Sequence, residues 1–323
     1  MCMKNLSFFF ILNMLSLALF GQVKNDSIFS ASEIVLKTPT GDIFGTLTVP
    51  NNSKSSPIVL IIAGSGPTDR DCNSPLGLQT NAYKMLSESF ANNGISTLRF
   101  DKRGIAKSKP AMVRESELKL ETYINDVVAW ISLLKSDKRF SSIIILGHSE
   151  GSLIGMIAAE QTNVAGFISI SGVGKSADKM LQEQLKTKLP PQLMDESNKI
   201  LDSLKIGKTV STINPNLAAL YRPSLQPYMI SWIKYDSAKE ISKLKIPILI
   251  IQGTTDLQVT VNDAKLLSEA KPTAKLLIIK NMNHVLKESD SDIQKNMSTY
   301  NNPDLPLKAG LTDGIINFIM TKK

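Results

Sequence analysis

The sequence predicts an α/β architecture: a mostly parallel central sheet with flanking helices and a helical cap insertion. Three observations carry this. Several short apolar runs are continuous rather than alternating, such as Pro57-Ile58-Val59-Leu60-Ile61-Ile62-Ala63, which suits strands buried on both faces. These runs are separated by stretches of helical period, in the rhythm strand, helix, strand. One polar, Lys-rich stretch, 173–242, interrupts the rhythm without a buried strand of its own.

The elements follow in chain order. Residues 33–38 and 43–49 are apolar-rich runs around Pro39-Thr40-Gly41-Asp42, which predicts an antiparallel hairpin. The run 57–63 ends in Gly64 and is the first central strand. A helix over about 80–93 precedes the strand Ser96-Thr97-Leu98-Arg99-Phe100. A helix over about 118–135 precedes the strand Ser142-Ile143-Ile144-Ile145-Leu146. Another helix, after Gly151, leads to Gly166-Phe167-Ile168-Ser169-Ile170. In the insertion, helical period is clear near 177–189 and 193–206. The sheet resumes at 246–251, followed by a helix at 261–270, a last strand at 275–279 and a closing helix at 308–320. The core is thus expected over 22–172 and 243–323, with the polar connection 288–307 long enough to expect a functional role.

The first residues differ from the rest. Lys4 is the only charge before LSFFFILNMLSLALF, and Gly21-Gln22 follow. An early cation, an apolar run too short to span a membrane and a small-residue boundary predict a signal peptide over 1–21. Cleavage there removes Cys2 and leaves Cys72 alone, so no internal disulfide is expected in a secreted or periplasmic protein. The net charge of +8 falls to about +7 with Lys4 gone, and its lysines are spread along the chain. With 6% aromatic residues and no Arg-rich stripe, nucleic-acid binding is not expected. Two His and two Cys are too sparse for a metal cluster, and no cofactor is expected. Stable membrane insertion after cleavage is not expected either, and oligomeric state is left open.

Gly147-His148-Ser149-Glu150-Gly151 reads G-x-S-x-G, placed after an apolar strand and before a helix. A serine on so sharp a turn needs small residues two before and two after it. The helix N-terminus behind Ser149 favours a developing oxyanion. A serine hydroxyl needs a base. His148 lies inside the turn and is expected to point away from the site, which leaves His284, just past the last strand, as the base. Asp256 follows the strand ending at Ile251 and is the orienting acid. Asp263 falls on the next helix, and Asp290 and Asp292 come after the histidine. The oxyanion donors are expected to be the N–H of Glu150 and an N–H of the loop Gly64-Ser65-Gly66-Pro67, that of Ser65. Asp69, Arg70 and Asp71, and likewise Asp101 and Arg103, are read as locks for their loops.

On these residues the chain resembles small bacterial α/β-hydrolase esterases. Members carry G-S-G-P-T-D-R-D-G-N, R-F-D-K-R-G-x-G-x-S, G-H-S-E-G and G-M-N-H-x-L-K. They match here at Gly64 to Asn73, Arg99 to Ser108, Gly147 to Gly151 and Asn281 to Lys287. The resemblance runs from about residue 40 onward and includes Tyr300-Asn301-Asn302-Pro303-Asp304-Leu305-Pro306-Leu307. It implies an α/β-hydrolase fold and a serine carboxylesterase acting on small esters of short acyl chains. Cys72, Ala106 and Asn281 depart from it, each standing where the family commonly has Gly. Cys72 lacks the elbow setting and a base, so it is not the expected nucleophile. Met180, Leu181, Leu185, Met194, Leu217, Leu220, Tyr221 and Trp232 of the insertion are candidates to line the substrate pocket, with packing within the insertion as the alternative for most. A serine peptidase or acyltransferase of the same fold, or a non-catalytic binding protein built on it, are the competing readings.

Overall fold

The computed structural model describes residues 28–321, so the expected signal peptide lies outside the described residues. Strands β1 (Phe29–Thr38) and β2 (Gly41–Pro50) form the hairpin, with Thr38 facing Gly41 across its turn. The remaining sheet strands are β3 (Ser56–Ile62), β6 (Ser96–Phe100), β7 (Phe140–His148), β8 (Gly166–Ile170), β9 (Ile248–Gly253) and β10 (Lys275–Ile279). A separate two-stranded ribbon, β4 (Asn73–Ser74) with β5 (Leu78–Gln79), lies between β3 and β6 in the chain. The eight-stranded sheet has the order β1-β2-β6-β3-β7-β8-β9-β10. β1, β2 and β6 pair antiparallel, and every pair from β6 to β10 is parallel.

The continuous apolar runs are explained by two separate cores. In β3, Ile58, Leu60 and Ile62 face one apolar layer while Val59 and Ile61 face the other. β7 and β9 divide likewise, with Ile143, Ile145, Ile248 and Ile250 on the first side and Ile144, Leu146, Leu249 and Ile251 on the second. The first layer is filled from α2 (Leu120–Lys135), α3 (Glu150–Gln161) and α9 (Val261–Ala270), with Trp130 fully buried. The second is filled from α1 (Ala82–Asn92) and α11 (Leu311–Met320). Because successive side chains alternate between faces, a strand covered on both sides cannot place a polar residue without burying it.

The stretch without strands forms α4 (Ala177–Lys186), α5 (Pro191–Lys205), α6 (Ala218–Tyr221), α7 (Gln226–Ile233) and α8 (Ser237–Lys243). Helices α4 to α7 share an apolar cluster of their own, in which Leu181, Leu185, Leu201, Leu204, Leu217 and Tyr221 are buried. Ile241 of α8 packs instead into the first sheet layer. The connection expected over 288–307 contains a short helix, α10 (Ile293–Ser298).

Cys72, Ala106 and Asn281 all adopt left-handed backbone, at φ 73°, 41° and 59°. Glycine reaches this region without strain, which accounts for its use by the resembling family at these three points. Ala106 is exposed, so changing it disturbs no core packing. Ala106→Gly is expected to raise unfolding free energy by about 1 kcal/mol in urea titration, since relief of the left-handed strain exceeds the added chain entropy.

Candidate active site

Four loops at the carboxyl ends of parallel strands converge. The loop after β3 brings Gly64 and Ser65, the turn after β7 brings Ser149, the loop after β9 brings Asp256 and the loop after β10 brings His284. That end of a parallel sheet is where open α/β folds build sites.

Ser149 has φ 54° and ψ −123°, the only break between β7 and α3. The flanking glycines are required by contact. A Cβ on Gly147 would overlap the backbone of Gly151, and one on Gly151 would overlap the carbonyls of Ile62 and Ala63. Strand β3 and helix α3 therefore touch directly beneath the serine. Glu150 is the first residue of α3, so its N–H has no partner inside the helix.

His284 Nδ1 lies 2.8 Å from Asp256 Oδ2. The other carboxylate oxygen accepts the backbone N–H groups of Gln258 and Val259 at 2.8 and 2.9 Å. Gln252 Nε2 donates to Oδ2 at 3.2 Å. Burial alone would raise the Asp256 pKa. The charge and hydrogen bond of His284 and the two N–H donors outweigh it and hold the carboxyl at about 2. The acid and histidine loops are zipped together. Gly253 has no room for a Cβ against the Met282 carbonyl, Thr255 N donates to Met282 O at 3.2 Å, and Asn281 N donates to Thr254 Oγ1 at 2.9 Å.

Ser149 and His284 line one cavity of about 220 Å³ with Ser65, Cys72, Tyr83 and Tyr300 among its walls. Among the described residues no hydrogen bond involves the Ser149 hydroxyl, so serine and imidazole share the cavity without a formed contact. A second cavity of about 440 Å³ adjoins it through Pro67, Ser74 and Leu78. The thiol of Cys72 is pushed up to about 11, chiefly by burial, which keeps it protonated and unreactive.

Two sequence expectations need correcting. His148 does not point away from the site. Its ring lines the cavity, packs 4.7 Å from the His284 ring, and bonds Tyr83 and the His284 backbone. Strand alternation places it there: His148 shares the face of Ile144 and Leu146, the side packed by α1. The insertion, in turn, contributes no wall to the Ser149–His284 cavity. Leu181, Leu185, Met194, Leu217, Leu220 and Tyr221 pack in the insertion's own core, while Met180 and Trp232 also reach a narrow cleft on the other side of Ser149. The long connection closes the cavity instead. Tyr300 O accepts from Gln79 N at 2.8 Å, Asn296 Nδ2 donates to Thr255 O at 2.7 Å, and buried Lys287 bonds Leu305 O.

The loop locks form as expected. Arg70 donates to Asp101 at 2.6 Å, Arg99 pairs with Asp71, and Arg103 grips Asp126 at 2.6 and 3.0 Å. Lys102, unremarked in the sequence, is buried and bonds the Gly64 carbonyl, with Glu150 Oε2 3.8 Å away. In a trans peptide the carbonyl and the next N–H point in opposite directions, so this bond turns the Ser65 N–H the other way. Glu150 Oε1 accepts the Tyr228 phenol at 2.7 Å, tying the insertion to the residue after Ser149.

A family model, Hydrolase_4 (serine aminopeptidase, S33), matches residues 76–290. The chain belongs to this hydrolase family. The chain is also 28% identical over 248 residues to esterase EstD of Thermotoga maritima. That match covers 75% of this chain and 57% of EstD, so the chain spans little more than half the length of that relative. Solved structures share the α/β-hydrolase fold of the family. Est1E from Butyrivibrio proteoclasticus has a TM-score of 0.57 at 17% identity, covering 90% of this chain and 98% of that one. Its ferulic-acid-bound form gives 0.60 at 19%, covering 90% and 100%. The Pyrococcus furiosus esterase Pf2001 gives 0.54 at 15%, covering 91% of both.

Proposed function

We propose that this protein is a serine carboxylic ester hydrolase with Ser149 as nucleophile, His284 as base and Asp256 as its orienting acid. The observation that carries the reading is the shared cavity: Ser149 on a left-handed turn faces it beside an imidazole whose far nitrogen is bound to a buried, ionised carboxylate. His284 removes the hydroxyl proton as Ser149 Oγ attacks the ester carbonyl. The N–H groups of Ser65 and Glu150 receive the oxyanion. His284 then protonates the departing alcohol, leaving an acyl-enzyme. Water, deprotonated by the same imidazole, releases the acid and restores the serine.

The space beside Ser149, about 220 Å³ against a usual roughly 300–1,000 Å³ for drug-sized ligands, favours a short acyl chain there, while the adjoining cavity of about 440 Å³ leaves room for the rest of the ester. EstD and Pf2001 are each named as esterases. The family's description raises aminopeptidase action as a second reading. The early cation and apolar run of residues 1–21 support export to the periplasm or beyond. Among the described residues no helix is long and apolar enough to cross a membrane.

Purified protein is expected to hydrolyse p-nitrophenyl acetate and butyrate faster than octanoate, with turnover lost in Ser149→Ala. A folded wild-type protein inert to all three and to a fluorophosphonate probe would overturn the reading. The acid side of the kcat/KM profile is expected to fall with unit slope. Asp256 is depressed to about 2 and stays charged above that, and His148 is lowered to about 3 and stays neutral above that. Neither therefore adds a proton between about pH 4 and 9, and a slope of two would contradict these assignments. Intact-mass analysis of protein from the exporting cell is expected to show a chain beginning near Gln22, whereas a retained Met1 would rule out cleavage.

A further inference from the structure

Of the two histidines in the chain, only His284 serves as the base. His148 is almost fully buried and carries out no step of the reaction, yet both its nitrogens are engaged. Nε2 lies 2.9 Å from the backbone carbonyl of His284. A carbonyl has no proton to give, so Nε2 carries it. In the neutral ring Nδ1 then accepts, and its partner at 2.8 Å is the Tyr83 phenol. With its proton directed to His148, the phenol oxygen is free to accept, and it receives the Gly64 N–H at 3.4 Å. All three bonds have one consistent direction, from Gly64 through Tyr83 and His148 to the backbone of His284. Burial, reinforced by the nearby His284, holds His148 down at about 3, so this tautomer persists at working pH.

We propose that Tyr83 and His148 are positioning residues that couple the oxyanion loop to the loop bearing the base. The proposal rests on the ester-hydrolase reading of the same site. Gly64 precedes Ser65, the oxyanion donor, and Lys102 holds the Gly64 carbonyl from the other side. The peptide planes on both sides of Gly64 are therefore fixed. One is fixed by an ammonium and the other by a relay that ends on the residue whose ring moves the proton. A shift of either loop is passed to the other, so donor and base keep their spacing while the serine turn stays still. The tie is perpendicular to the chain: Gly64, Tyr83, His148 and His284 come from four different elements.

The test uses two readouts. With only two histidines, protein labelled with ¹⁵N-histidine shows two imidazoles in a nitrogen–proton correlation spectrum. The one lost in His148→Gln is expected to stay neutral with its proton on Nε2 through about pH 5–8, and to change shift in Tyr83→Phe. A His148 ring that titrates in that range, or is protonated on Nδ1, overturns the proposal whatever the activity. On p-nitrophenyl acetate, Tyr83→Phe is expected to lower kcat about tenfold with KM within about twofold, as a displaced donor would. His148→Gln, which keeps an N–H for the carbonyl, is expected to retain more kcat than His148→Ala. Tyr83→Phe at wild-type kcat, or equal loss in the two His148 variants, also overturns it. A wild-type protein that turns over no ester would instead sink the hydrolase reading, and the imidazole spectrum would still judge the relay.

Discussion

Ser149 holds a backbone conformation that side-chain-bearing residues rarely adopt, and the close contact of three elements makes it possible. Gly151 lies against the carbonyls of Ile62 and Ala63, and Gly147 against Gly151 itself. Strand β3, strand β7 and helix α3 can approach this closely only because two side chains are missing. The strain at such a turn is of order 1–3 kcal/mol and persists only where the surroundings over-determine it. Here the surroundings are the two apolar layers on either side of β3 and β7, which fix both strands. The same approach sets Gly64 beside Ser149, where a Cβ would come within 3.1 Å of the serine Cβ. Ser149 and the loop of Gly64 and Ser65 are thus placed by one packing event.

Around this turn the protein buries charge, and each buried charge is answered. Asp256 has no exposed side-chain surface, and four donors surround it. Lys102 sits between the Gly64 carbonyl, Glu150 and the Tyr123 ring, whose centroid is 5.4 Å away. Burial lowers its pKa and the Glu150 carboxylate pulls it back up. Removing one partner of such a pair typically costs about 3–5 kcal/mol, because the other is left unpaired out of water. Glu150 therefore has two separate duties. Its N–H is unpartnered within α3, and its side chain links Lys102 to Tyr228 of the insertion. The insertion reaches the site through this link and through the cleft that Met180 and Trp232 line beside Ser149, not by walling the Ser149–His284 cavity.

Some features were readable because they are local. The alternation of strands and helices follows from the period of apolar residues. The Ser149 turn follows from glycines at fixed offsets, and Asp256 from its position after β9. The loop locks were readable because oppositely charged residues crowd into short turns. Other features were not. His148 keeps the strand alternation of Ile144 and Leu146, but that this face carries α1 and the histidine loop is set by distant packing, which no pattern of types records. Tyr300 was not singled out because its place depends on Gln79, more than two hundred residues earlier. Lys102 carried only the signal of its place in the matched stretch Arg99 to Ser108, and its burial was hidden because lysines are ordinarily solvated. Gln252 did carry a faint signal, as a polar residue inside an otherwise apolar run.

By itself the sequence determined the sheet and helix rhythm, the sharp turn at Ser149 and the identity of the only histidine outside that turn. Each is a matter of neighbouring residues: side-chain period, missing Cβ atoms and composition act over a few positions and survive without knowledge of the partner. Tertiary structure alone decided which segments wall the cavity, which way His148 faces, and how Gly64, Tyr83 and His284 are joined. Those contacts link residues 19, 65 and 136 positions apart. At such separations the outcome depends on how strand order and helix packing bring distant loops together, and that information belongs to the whole chain at once.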